Sequence, residues 1–255
     1  MPIGTPSVIF GGSNIAAGTN NVTTADAPAG SLIVVGLGTW ASTNGTTTGV
    51  SDSAGNTYTK LSEGAATVGI PYPAAIWYSS NITHLPLGGT ISQTNSGNVT
   101  YSIVACVVSG ANGGSDVHTT ANASGVTTNT LASGGLAASS EIIFGLTATT
   151  GSLSGYAANS PFTEIGFSPS GNAMGFAYDI VSTNASVNFA PSWSSNQTIA
   201  QCVGSFKAPA SASALKFNPN LDGLSSSGGF FCDPLARVML GWRKRATLWL
   251  PERFA

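Results

Sequence analysis

The sequence predicts an all-β protein: an antiparallel β-sandwich of jelly-roll type, followed by a linker and a C-terminal anchoring tail. Three observations predict it. Short apolar runs recur at regular spacing, with Gly, Pro, Asn or Ser at nearly every junction between them. No window before Phe206 keeps apolar residues at helical spacing across three turns. The composition is 42% hydrophobic but only 7% charged, with 32 Gly and 13 Pro, so apolar residues are too abundant for disorder and solubility rests on Ser, Thr, Asn and Gly. At 255 residues the chain has room for one large β domain or two smaller ones, and sandwiches of this size are often single domains. The predicted division is a sandwich over residues 1–207, a linker over 208–229 and a basic-aromatic docking tail over 230–255.

In chain order, residues 7–10 and 21–24 read as short edge strands. Residues 31–40 form a strong buried strand whose glycines leave room for a facing sheet or a bulge. Asp52-Ser53-Ala54-Gly55-Asn56 gathers residues that accept positive φ or bond their own backbone, so it reads as a turn feeding a strand at 57–61. Strands follow at 74–79, 90–94 and, strongly, 99–108, which ends in the loop at 109–114. The second half repeats the rhythm: a weak strand at 126–130, a strong one at 141–148, then 162–167, 174–181, 186–190 and 198–206.

After Ala208 the character changes. Ser-, Ala- and Gly-rich stretches frame isolated Phe217 and Leu221, and then large apolar and basic residues crowd together from Phe230 onward. Asp233-Pro234 suits a helix start, with Leu235, Val238, Met239 and Trp242 on one face and Pro251 at its end. Two strands joined at Arg243-Lys244-Arg245 are the alternative. The charge is lopsided: through Phe206 one cation faces seven acids, a net of −6, whereas from Lys207 seven cations face three acids, a net of +4. The body therefore repels nucleic acid and anionic membrane, and the tail suits an acidic partner. Phe230, Phe231, Arg237, Leu240, Trp242, Arg243, Arg245 and Trp249 are the predicted docking residues, since aromatic and Arg side chains dominate binding hot spots.

Other candidate sites each carry an ordinary structural reading. Asp52 and Asn56 lack the companion carboxylates and spacing of a calcium loop, so a structural turn is expected and no metal. His84 and His118 are the only imidazoles; a Ser-His-Asp set around His118 and Asp116 is conceivable, but no Gly-x-Ser-x-Gly elbow accompanies it. An acid pair for glycoside hydrolysis would draw on Glu63, Glu141, Glu164 and the aspartates. Among the aromatics, Trp40 and Trp77 lie in core runs and read as packing residues, while Tyr72 and Tyr156 sit in loops and are the predicted glycan contacts. Cys106, Cys202 and Cys232 define no disulfide framework and no zinc pattern; the first two read as buried thiols. No cofactor is expected. The first residues lack the regions of a secretory signal, which predicts synthesis in a host cytoplasm, and no apolar stretch approaches the ~18 residues of a membrane helix.

The motif order resembles a known family. Ala29-Gly30-Ser31-Leu32-Ile33-Val34-Val35, the segment from Val50 to Tyr58, Ile76-Trp77-Tyr78-Ser79-Ser80-Asn81-Ile82 and Val107-Val108-Ser109-Gly110 together look like a β-sandwich domain of tailed-phage virion proteins and phage-like bacterial surface proteins. The similarity runs over roughly residues 25–207. It implies a jelly-roll or immunoglobulin-like module for decoration, fibre or adhesion, with no shared catalytic residues. The expected function is that of a non-enzymatic virion structural protein, partnered by other capsid or tail proteins and by copies of itself, as a trimer. A carbohydrate-binding host-adhesion module is the alternative, and a polysaccharide-degrading enzyme a third reading.

Overall fold

The computed structural model describes residues 2–16, 18–41, 47–64, 73–96, 99–111, 114–169 and 171–209. These fall in a compact unit spanning Met1–Ser211. Tyr72, all eight predicted docking residues and the helix expected after Asp233 lie outside the described residues.

Fifteen strands occur among the described residues, and no helix. The first half contributes β1 (Ser7–Ala16), β2 (Asn20–Val22), β3 (Leu32–Ala41), β4 (Thr47–Asp52), β5 (Thr59–Gly64), β6 (Ala74–Ser79), β7 (Thr90–Asn95) and β8 (Val99–Val108). The second half contributes β9 (Ser115–Thr128), β10 (Leu131–Ala132), β11 (Glu141–Thr149), β12 (Thr163–Ser168), β13 (Ala173–Val181), β14 (Asn188–Phe189) and β15 (Ser192–Lys207). They form two five-stranded sheets, ordered β1-β8-β3-β6-β5 and β12-β13-β11-β15-β9, a three-stranded sheet β2-β7-β4 and a two-stranded sheet β10-β14. All the pairings are antiparallel.

The large sheets pack on one another. Leu32, Val34, Ile76, Val104 and Cys106 of the first meet Ile142, Phe144, Leu146, Phe176 and Phe206 of the second. The opposite face of the first sheet is covered by the three-stranded sheet, through Ile33, Val35, Leu37, Val50 and Ile91. On the outer face of the second, Ile143 and Val203 meet Leu131, Phe162 and Phe189. A central strand therefore feeds two cores with alternate residues, which is why β3 and β11 read as continuous apolar runs instead of alternating ones. Phe144 stacks on Phe176 at 5.4 Å between ring centroids. The room that the glycines of β3 were expected to leave is used: a Cβ on Gly36 would lie 3.1 Å from the Phe176 ring, and one on Gly38 3.1 Å from Ala148 Cβ.

The antiparallel sandwich predicted from the sequence is present, and it is present twice. Reading the second large sheet as β9-β15-β11-β13-β12 gives the order of the first, β1-β8-β3-β6-β5, strand for strand, and the β2–β7 pair has its counterpart in β10–β14. The registers agree in detail. Thr59 pairs with Tyr78 and Thr163 with Tyr178; each ladder then bulges, at Leu61 and at Ile165; it resumes at Ser62–Ile76 and at Gly166–Phe176. Asn56 receives the Thr83 amide at Oδ1 (2.7 Å) and donates from Nδ2 to the Thr83 carbonyl (3.1 Å). Asn159 does the same to the Ala190 amide (2.6 Å) and the Asn188 carbonyl (2.9 Å). β4 has no counterpart among the described residues.

Two local expectations are corrected. The segment from Thr47 to Asp52 is a strand where none was expected, and it leads into the turn read at Asp52. β9 runs for 14 residues where only a weak strand at 126–130 was expected. Its polar residues are interleaved with Val117, Ala121, Ala123 and Val126, which pack partly buried on the outer cores, and the ladder it makes with β15 supplies the rest of its order.

Candidate functional site

The Asp52 turn is a hydrogen-bond hub. Oδ1 accepts from the amides of Ala54 and Asn56, both at 3.0 Å, while Oδ2 accepts from Asn56 Nδ2 at 2.8 Å and from the Tyr58 hydroxyl at 2.9 Å. Gly55 takes a φ of 77°, which a residue without a Cβ adopts at no steric cost. Burial, and then the Asp52 charge, push the Tyr58 phenol far above its ordinary range, so it stays a donor. With four protein donors on one carboxylate, the geometry is that of the structural turn expected from the sequence.

Of the acids proposed for a catalytic pair, the structure brings Glu141 together with Asp116. Glu141, the fully buried first residue of β11, accepts from the Ala138 amide at 2.9 Å and from Ser205 Oγ at 2.6 Å. Asp116 on β9 accepts from the Ala137 amide at 2.6 Å, lies 3.6 Å from Lys207 Nζ, and is close enough to Glu141 for the two carboxyls to influence each other's ionisation. Two neighbouring carboxyl groups disfavour ionising together, and burial makes Glu141 the one that holds its proton, its pKa being raised by desolvation and by Asp116. Burial acts on Asp116 as well, but the Ala137 amide, Glu141 and Lys207 together hold it below the usual range. The cluster fastens the beginnings of β9 and β11 to the end of β15.

This pair gives a signed pH dependence. A carboxyl whose folded pKa is raised contributes stability that is complete below its unfolded pKa and lost as the pH climbs through the folded value; Asp116, being lowered, loses its contribution only toward low pH. Glu141→Gln mimics the protonated acid. It is expected to match the wild type near pH 4 and to exceed it near pH 8. Urea unfolding at the two pH values checks this; equal stabilities at pH 8 would mean that Glu141 does not hold its proton in the folded state.

The other candidates are dispersed. His84 is exposed, 3.8 Å from Asp26, and His118 is exposed on β9, with the oxygens of Asp116 turned to Ala137 and Lys207. Glu63 pairs with Lys60, whose ammonium lies 5.3 Å from the centre of the Trp77 ring. Glu164 is exposed on β12. Lys60–Glu63, His84–Asp26 and Lys207–Asp116 are the ion pairs among the described residues. Cys106 and Cys202 are fully buried, as expected, and burial pushes both thiols up.

The aromatic expectations need two corrections. Tyr156 is 8% exposed, stacked on Phe167 at 5.3 Å and set against Gly175, where a Cβ would come within 2.2 Å of its ring. The ring fills the hollow that the glycine leaves, so its face is not open to a sugar. Trp40, read as a packing residue, is 38% exposed at the end of β3, whereas Trp77 is buried as expected. Trp193 is also buried and donates from Nε1 to the Val126 carbonyl at 2.8 Å.

The chain matches no family model, no curated protein and no solved structure.

Proposed function

We propose that this chain is a non-enzymatic structural protein of a tailed-phage particle, a capsid decoration, head-fibre or tail-fibre component. The stacked sandwich is displayed outward, and the segment 230–255 fastens it to capsid or tail proteins. The observation that carries this reading is the use made of the chain's chemically versatile side chains. Asp52, Asp116 and Glu141, and the paired Asn56 and Asn159, are each spent on joining strands and turns to one another. The order of motifs that resembles phage virion modules, and the change of charge from −6 in the body to +4 after Phe206, support it further.

The proposal includes self-association, as a trimer, and excludes nucleic acid and membrane as partners. A chain ending at residue 229 is expected to remain soluble, with an unchanged β-type circular dichroism spectrum, and to be absent from assembled particles. Normal incorporation of that truncation would refute the anchor.

A further inference from the structure

The two open seams of the large-sheet stack are equivalent positions of the repeat, and they differ. β5 and β9 flank one; β12 and β1, their counterparts, flank the other. The first is closed. Ser62 Oγ donates to the Thr119 carbonyl at 3.4 Å, and Gly64 lies so near β15 that a Cβ there would fall 2.3 Å from the Gln201 carbonyl oxygen. At the second seam the corresponding positions carry Gly166 and Ser168, and a cavity of about 230 Å³ opens between them and β1.

Its walls have a definite chemistry. Buried Val104 and Met174 line it from within, and Val8 and Phe167, 39% and 36% exposed, line it toward solvent. No charged side chain lines it. Ser168 pairs with Met174 across the ladder and so shares its inward direction; it is 6% exposed, and its hydroxyl has no hydrogen-bond partner. Leaving a buried hydroxyl unpaired is costly, and at the seam that the chain closes by itself the equivalent strand spends a serine on a main-chain carbonyl.

We infer that this slot is a binding site for a small, uncharged, mainly apolar molecule or group, the size of a substituted benzene ring, with one hydroxyl that pairs with Ser168. An apolar cavity of about 150 Å³ accepts benzene, so the volume here leaves room for the ring and its substituent. The absence of charge from the lining argues against ionic ligands; of its two serines Ser13 is exposed to water, so the buried, unpaired hydroxyl of Ser168 sets the polar end. The inference does not depend on the virion reading.

Benzyl alcohol titrated into the full chain, followed by ligand-observed NMR and by melting temperature, tests it, with toluene as the partner lacking a hydroxyl. Saturable binding and a raised melting temperature are expected. Gly11→Val places a side chain in open space, where a Cβ meets only Val104 Cγ2, at 4.0 Å, and is expected to abolish binding of both probes. Ser168→Ala is expected to weaken benzyl alcohol roughly 3- to 10-fold and leave toluene unchanged. Absence of saturable binding, undiminished binding by Gly11→Val, or an equal effect of Ser168→Ala on the two probes would each overturn the assignment.

Discussion

Asp52→Ala is expected to lower the melting temperature by about 10 °C. The carboxylate accepts four hydrogen bonds, two from main-chain amides and two from side chains, and alanine replaces none of them. Tyr58 is 9% exposed, so its hydroxyl loses its acceptor at a place that water reaches poorly. Hydrogen bonds to a charged acceptor are worth about 1.5–3 kcal/mol each when buried, but this turn is partly solvated and the four bonds act as one unit. A total near 4 kcal/mol follows, and for a chain of this length each kcal/mol moves the transition by roughly 2–4 °C. Asn56 loses its orientation too, and with it the clamp on Thr83 that joins the turn to the segment after β6. Asp52→Asn keeps one accepting oxygen and is expected to cost about half as much. Calorimetry on both variants measures the effect; a loss below ~1 kcal/mol for the alanine would mean that the hub is decorative.

Gly64→Ala is the second large effect, at about 3 kcal/mol or outright failure to fold. The new methyl carbon would lie 2.3 Å from the Gln201 carbonyl oxygen, 3.1 Å from its carbon and 3.3 Å from its nitrogen. Every atom it meets is main chain, so no rotamer change relieves the overlap. Gln201 itself is held on both sides, by Thr147 of β11 and Ala121 of β9, so the strand that would have to move is the one joining half of the second large sheet to its edge. Gly49→Ala is the control: its Cβ finds nothing nearer than Thr94 at 3.9 Å, and it is expected to stay within ~0.5 kcal/mol of the wild type. Denaturant unfolding of the pair reads the difference, and comparable stabilities would contradict the close approach of the two sheets.

What could be read in advance follows from where the information lies. β3, β6, β8 and β11 announced themselves because residues buried on both faces must be apolar at successive positions, and a run of them is visible without any partner. The Asp52 turn was equally local, since all four of its donors lie within six residues. β9 was not, because its order comes largely from the β15 ladder and its apolar residues are few and small, Val117, Ala121, Ala123 and Val126 among polar neighbours. Tyr156 follows Gly155 in a connection and reads as a loop aromatic; its burial is decided by Gly175, a residue with no side chain on a different element. Trp40 closes an apolar run but stands at its rim, where the run's character stops predicting burial.

The doubling stayed hidden for a related reason. Matched positions preserve the kind of side chain more often than its identity: Tyr58 and Phe162 both enter outer cores, and Leu61 and Ile165 both fill bulges. The slot beneath β12 was beyond reading altogether, being made largely of atoms that Gly11 and Gly166 do not have, on strands 155 positions apart.

The scarcity of ion pairs among the described residues has an environmental consequence. Dissolved salt weakens a fold chiefly through the Coulomb attractions it screens, and this one has few to lose; apolar burial, on which it depends instead, survives or strengthens as electrolyte is added. A body built this way would keep its fold when carried from fresh water into brine.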